Sequence, residues 1–110
     1  MNKAYSFACN VIIFARDIPS DCKVLAHQLV RSGTSIGASV TEAQGTESKL
    51  DFVHKLKIAD KEAKETEYWL DLLRKAGRGG DQVELRNELS EIQRLLNSII
   101  STCKRSLKAH

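Results

Sequence analysis

A chain of 110 residues with 42% hydrophobic and 28% charged side chains, a single proline and six glycines has the size and composition to fold as one domain, residues 1–110, without a disulfide or metal staple. Aromatic residues reach only 5%, which argues against a strand-rich fold and against recognition by stacking on bases or sugars. The net charge of +3 falls short of the concentrated basicity of dedicated nucleic-acid domains.

The first predicted element is a helix from about Lys3 to Asp17, closed by Ile18-Pro19 because a residue before proline disfavours helical geometry. Its apolar stretch, Ala4 to Ala15, has no basic cluster ahead of it and no small-residue cleavage site behind it, so it is not read as a signal peptide. It is also shorter than the about 20 apolar residues that span a bilayer, so no membrane partner is expected. Ser20 or Asp21 is the predicted cap of a second helix ending at Gln44-Gly45, with a stripe of Leu25, Leu29, Ser32, Ile36, Val40 and Ala43. Ser48 followed by Asp51 resembles a capping box before a third helix striped by Phe52, Leu56, Ala59, Ala63, Thr66, Leu70 and Leu73. Gly77-Arg78-Gly79-Gly80 stops it. Asp81, with Glu84 three residues on, opens a fourth whose stripe is Leu85, Leu89, Ile92, Leu96, Ile99 and Cys103. Short connections between long helices make successive helices antiparallel, so the expected fold is an all-α, antiparallel up-down-up-down four-helix bundle.

Helix one carries more apolar surface than one core can hide. Tyr5, Ala8, Ile12 and Ala15 are expected to face inward, leaving Phe7, Val11, Phe14 and Ile18 as a second stripe. That stripe is a candidate oligomer interface, the alternative being that the longer neighbours wrap around it. Gly33 and Gly37 lie inside helix two, where each costs about 1 kcal/mol relative to alanine. A close helix approach is the expected return, with a kink beside Ser32, Thr34 and Ser35 the second possibility. Gly33-Thr34-Ser35-Ile36-Gly37 lacks both the lysine and the preceding strand of a phosphate-binding loop.

Metal and catalytic readings find no support in the spacing. His27, His54 and His110 are far apart, and Glu62 with His54 does not form the Glu-x-x-His motif of di-iron bundles. Three cysteines, Cys9, Cys22 and Cys103, form no CxxC pair, so neither a disulfide framework nor a zinc knuckle follows, and a reducing cytoplasm is the expected location. No histidine can be assigned to a cysteine as its base, so Cys9 and Cys103 read as small core residues. No cofactor and no enzymatic activity are expected. Arg31 and Glu62 are a candidate structural ion pair, the alternative being that both point to water. Trp69 lies beside the core stripe, as a bundle edge or as an interface anchor. The up-down topology gathers Lys3, Lys49, Lys104, Arg105 and Lys108 at one end, a candidate nucleic-acid contact, unless these residues only solvate helix ends and complement the dipole of the last helix.

The run Arg31-Ser32-Gly33-Thr34-Ser35-Ile36-Gly37-Ala38-Ser39-Val40, then Glu42-Ala43-Gln44-Gly45, Phe52-Val53-His54-Lys55-Leu56 and Glu62-Ala63-Lys64-Glu65-Thr66-Glu67-Tyr68-Trp69-Leu70, closely resembles a bacterial four-helix bundle family. That family was first known from open reading frames inside intervening sequences of large-subunit ribosomal RNA genes. The resemblance implies a bundle that assembles into a ring, typically a pentamer, without catalytic residues. It also implies kinship with the accessory variability determinant of diversity-generating retroelements, which binds nucleic acid and a reverse transcriptase. The expected function is a non-catalytic, self-assembling structural or interaction protein whose partner is itself, with another protein also open. The alternative is an RNA- or DNA-binding accessory factor acting through the basic end.

Overall fold

The computed structural model describes residues 2–108 and contains four α-helices, α1 (Asn2–Arg16), α2 (Lys23–Gln44), α3 (Lys49–Lys75) and α4 (Val83–Lys108), with a 3-10 turn at Ser20–Cys22. They form an antiparallel four-helix bundle of 52 × 21 × 20 Å. Contact is most extensive between α2 and α3 and least extensive where α1 closes on α4.

Helix ends follow local chemistry with one exception. Ser48 Oγ accepts the Asp51 N–H at 3.0 Å to cap α3, and Asp81 Oδ1 accepts the Val83 N–H at 2.9 Å at the start of α4. Helix α3 stops in a Schellman arrangement: the N–H groups of Gly77 and Arg78 return to the carbonyls of Arg74 and Leu73, with Gly77 at φ 67°. The exception is α2, which begins at Lys23 without a side-chain cap. Neither Ser20 nor Asp21 caps it, because Pro19 leads into the 3-10 turn and the Asp21 carboxylate is taken by a bidentate bond from Arg78. That bond ties the α1–α2 connection to the glycine-rich α3–α4 loop.

The core stripes of α2, α3 and α4 are those of the sequence with small shifts. Leu29, Ile36, Val40, Ala43, Leu56, Ala59, Ala63, Leu70, Leu73, Leu85, Leu89, Ile92 and Leu96 are all buried. Val53 is buried where Phe52 was expected, and Ile100 where Ile99 was, with Phe52, Ile99 and Cys103 half-buried against the core. Two buried polar groups join α2 to α3: Ser32 Oγ and Thr66 Oγ1 lie 3.0 Å apart. Each also reaches a carbonyl one turn back, at Leu29 and Glu62.

Helix α1 is turned the opposite way from the sequence expectation. Phe7 and Val11 are fully buried, so they are core and not available as an oligomer interface, while Phe14 and Ile18 pack half-buried against the core and keep part of their surface open. Tyr5 and Ile12, expected inside, are 73% and 51% exposed. The reason lies on α2. A Cβ on Gly33 would stand only 3.0 Å from Val11 Cγ1, so the missing side chain makes the hole that Val11 fills. Further along α1, Phe14 Cζ would lie 3.1 Å from a Cβ on Gly79. Glycines therefore receive the bulky stripe, and Tyr5 has no such recess. The close approach is tight at Gly33 and relaxed at Gly37, where a Cβ would meet Ala4 atoms no closer than 3.6 Å.

Gln82 makes a contact that no periodicity announces. It is 5% exposed, its Nε2 donates to the Leu70 carbonyl at 2.9 Å, and its Oε1 accepts from Arg86 Nε at 2.8 Å. Arg86 Nη2 in turn reaches Asp71 Oδ1 at 2.7 Å. On the opposite side, Lys3 Nζ bonds Glu91 Oε2 at 2.6 Å, tying α1 to α4.

Gly33→Ala should lose up to about 2 kcal/mol, because pressing on fully buried Val11 outweighs the gain in helix propensity. Gly37→Ala, in ordinary contact distance, should gain up to about 1 kcal/mol; urea unfolding of the pair reads both. The Arg78 hydrogen bond holds the Asp21 carboxyl below its ordinary value, and the Lys3 hydrogen bond does the same for Glu91. With folded values depressed, the stability they contribute is complete above the ordinary carboxylate range near about pH 4 and is lost as pH falls through the folded values. Stability measured against pH should therefore fall less steeply in acid for Lys3→Met/Arg78→Met than for the unmutated chain.

Candidate interaction surfaces

The polar groups of the bundle serve its seams. At the α2–α3 edge the Arg31 guanidinium stands 3.4 Å from Glu62 Oε2, lies against Glu65, and donates from Nε to Gln28 Oε1 at 2.8 Å. Trp69, half-buried, donates from Nε1 to the same Glu65 at 3.1 Å, and its ring meets Tyr68 edge-on with centroids 5.0 Å apart. Arg31, Glu62 and Trp69 are thus brought together through Glu65, the neighbouring acid of α3, which shares Arg31 with Glu62. Lys55 and Glu42 close the same seam one turn from its end at 2.8 Å. Among the described residues no three His, Cys, Asp or Glu side chains converge as a metal site; His110 lies outside the described residues. Cys9 is exposed, and Cys22 and Cys103 are half-buried.

The basic end holds four of its five expected members. Lys49 Nζ bonds Ser106 Oγ, which sets Lys49 beside exposed Lys104, Arg105 and Lys108 on the last turns of α4. Lys3 does not join them. Its partner Glu91 precedes Lys104 by roughly 20 Å of helical rise, because α1 is the short helix and starts well below the end of α4. Exposed Glu47 and Asp51 share the basic end.

The outward face of α1 and α2 is of a different kind. Tyr5 and Ile12 are large apolar groups in water, and Tyr5 and Ala8 line a shallow groove of about 200 Å³ with Thr34, Gly37, Ala38 and Thr41 of α2. The Thr34 and Thr41 hydroxyls donate to the carbonyls of Val30 and Gly37 on their own helix, at 2.7 and 2.9 Å, and so are already satisfied. Between Lys3 and Glu42 the only charged residues are Arg16, Asp17, Asp21, Lys23 and Arg31, whereas α3 and α4 carry charges on nearly every turn. No helix of the described residues is long and apolar enough to cross a membrane.

The model of the 23S rRNA-intervening sequence protein family matches residues 1–98. A crystal structure of a protein of unknown function from the S23 ribosomal protein family of Bacteroides thetaiotaomicron VPI-5482 is similar at 44% identity and a TM-score of 0.81, covering 90% of this chain and 95% of that one. A search of curated proteins found no match. Matched over nearly its whole length by the family model, and sharing its bundle with a solved relative, the chain belongs to the 23S rRNA-intervening sequence protein family.

Proposed function

We propose that this chain is a non-catalytic, self-associating bundle with a structural or interaction role, assembling into a ring that is a pentamer in the form the family resemblance implies. The observation that carries this reading is the uncharged outer face of α1 and α2, where Tyr5 and Ile12 stand exposed beside Ala38 and satisfied threonines. An apolar patch free of charge on a chain otherwise densely charged marks a contact surface. A second copy is the occupant that matches the closed assembly. Light scattering during size-exclusion chromatography should give a mass several times that of the chain. Ile12→Glu should weaken assembly at least about tenfold while helicity is retained, because it sets a charge in the contact and leaves Phe7 and Val11 untouched. A monomeric unmutated chain at tens of micromolar overturns the reading.

A second reading rests on the end formed by Lys49, Lys104, Arg105 and Lys108, which ring symmetry would repeat around one rim. Contacts there go to phosphates, so binding of RNA or duplex DNA should fall steeply between about 50 and 200 mM salt and vary little with base sequence. Lys104→Glu/Arg105→Glu/Lys108→Glu should abolish it in an anisotropy titration. Binding that survives this triple reversal places the contact elsewhere.

A further inference from the structure

The seam between α1 and α4 gathers the largest group of carboxylates with few cations to answer them. Two open clefts run along it, of about 220 and 320 Å³, sharing Glu88 as a common wall. Their apolar floor includes Ile13, Phe14, Leu85 and Ile92. The rim is acidic: Asp17 follows α1, Asp81 precedes α4, and Glu84, Glu88 and Glu91 lie on α4. Of these, Glu91 has Lys3 at 2.6 Å, Glu88 has only the Asn10 amide at 3.0 Å, and Asp17 has only its own neighbour Arg16 at 3.8 Å. Among the described residues Asp81 and Glu84 have no cation. The other seams each carry cross-helix or loop ion pairs, Arg31 on Glu62, Lys55 on Glu42, Arg86 on Asp71 and Arg78 on Asp21, with Glu67 of the α3–α4 seam meeting only the Gln93 amide. The chain as a whole is +3, so the acid row is a local excess against the sign of the molecule.

The complement of that row lies on α3. Lys57, Lys61 and Lys64 are exposed on its outer side, followed by Tyr68 at 54% exposure. Among the described residues Lys57 and Lys61 have no carboxylate partner, and Lys64 has only Asp60 one turn away on its own helix, at 3.4 Å. Lys57, Lys61, Lys64 and Tyr68 are spaced four, three and four residues apart. So are Glu84, Glu88, Glu91 and Leu95, and Leu95 is the exposed large apolar group at the end of the acid row. We infer that α3 of one copy docks parallel to α4 of a second copy along the open α1–α4 seam. Lys57, Lys61 and Lys64 then face Glu84, Glu88 and Glu91, and Tyr68 lies on Leu95. Identical spacing lets the three ion pairs and the apolar pair form in one register, with the cleft floor receiving the aliphatic lysine stems. The contact joins two different faces of the chain, so each copy offers both halves. It rests on the self-association proposed above and adds to it a second surface with its own partner residues.

Charge reversal tests this contact with the chain itself as the probe. Lys57→Glu/Lys61→Glu/Lys64→Glu and Glu84→Lys/Glu88→Lys/Glu91→Lys are each measured by sedimentation at low salt, with circular dichroism reporting the fold. Each alone should raise the dissociation constant at least about tenfold, since three exposed pairs are turned into repulsions. An equimolar mixture of the two should regain the unmutated mass, because each variant then meets its complement. Should the glutamate variant lose helicity with the Lys3–Glu91 tie, the α3 variant, whose lysines are outside the core, decides alone. An assembly that the α3 reversal leaves unchanged overturns this contact and leaves self-association standing. Folded variants that fall apart separately and fail to combine overturn the pairing. An unmutated chain that stays monomeric overturns both the contact and the reading beneath it.

Discussion

The approach of α1 to α2 over Gly33 is the contact on which the arrangement of the bundle turns. With no side chain at that position, Val11 drops into the space a Cβ would occupy, its Cγ1 only 3.0 Å from that point. Dispersion rewards such a fit only at short range, so a helix offered two apolar stripes turns the one that matches the hole inward. Ala4, Phe7 and Val11 follow into the core, and Phe14 closes over Gly79 at the other end. Helix α2 is approached closely from its other flank as well, where Ser32 and Thr66 meet and Ala59 and Ala63 keep α3 slim. Small residues on α2 and α3 thus make α2 the close-packed member of the bundle.

That same rotation decides what the protein shows to its surroundings. Tyr5 and Ile12 are left in water beside the uncharged outer side of α2, while the polar flank of α1 comes against the acids of α4. The molecule consequently shows an uncharged outer face on α1 and α2 beside densely charged α3 and α4, and its candidate functions lie on surfaces. Enzyme sites commonly gather groups with shifted titration inside a cleft. Here the carboxyls of Asp21 and Glu91 are held low by exposed partners, Arg78 and Lys3, that join secondary-structure elements. Their role is to hold loops and helices together at the seams.

Most of the fold was legible because it is written locally. Pro19 and the Gly77 to Gly80 run interrupt the helices through backbone geometry, which needs no knowledge of neighbours. The stripes of α2, α3 and α4 each have a single apolar face, so periodicity alone points them inward. At the end of α4 the stripe drifts: Ile100 is buried and Ile99 only half-buried, because α1 does not extend far enough to cover that side.

Sequence by itself determined the number of helices, their ends to within a residue or two, their antiparallel order and the inward faces of three of them. The facing of α1 was decided only by tertiary structure, since a helix apolar on two sides carries no preference until a neighbour offers a recess to one of them. Lys3 was separated from the basic end by the relative lengths of α1 and α4, and Gln82 was buried by the carbonyl of Leu70 and the guanidinium of Arg86. Each of these depends on which side chain lies across a seam. Periodicity records the environment a helix face prefers, and a partner's shape and hydrogen-bonding groups exist for that face only once the two helices are in contact.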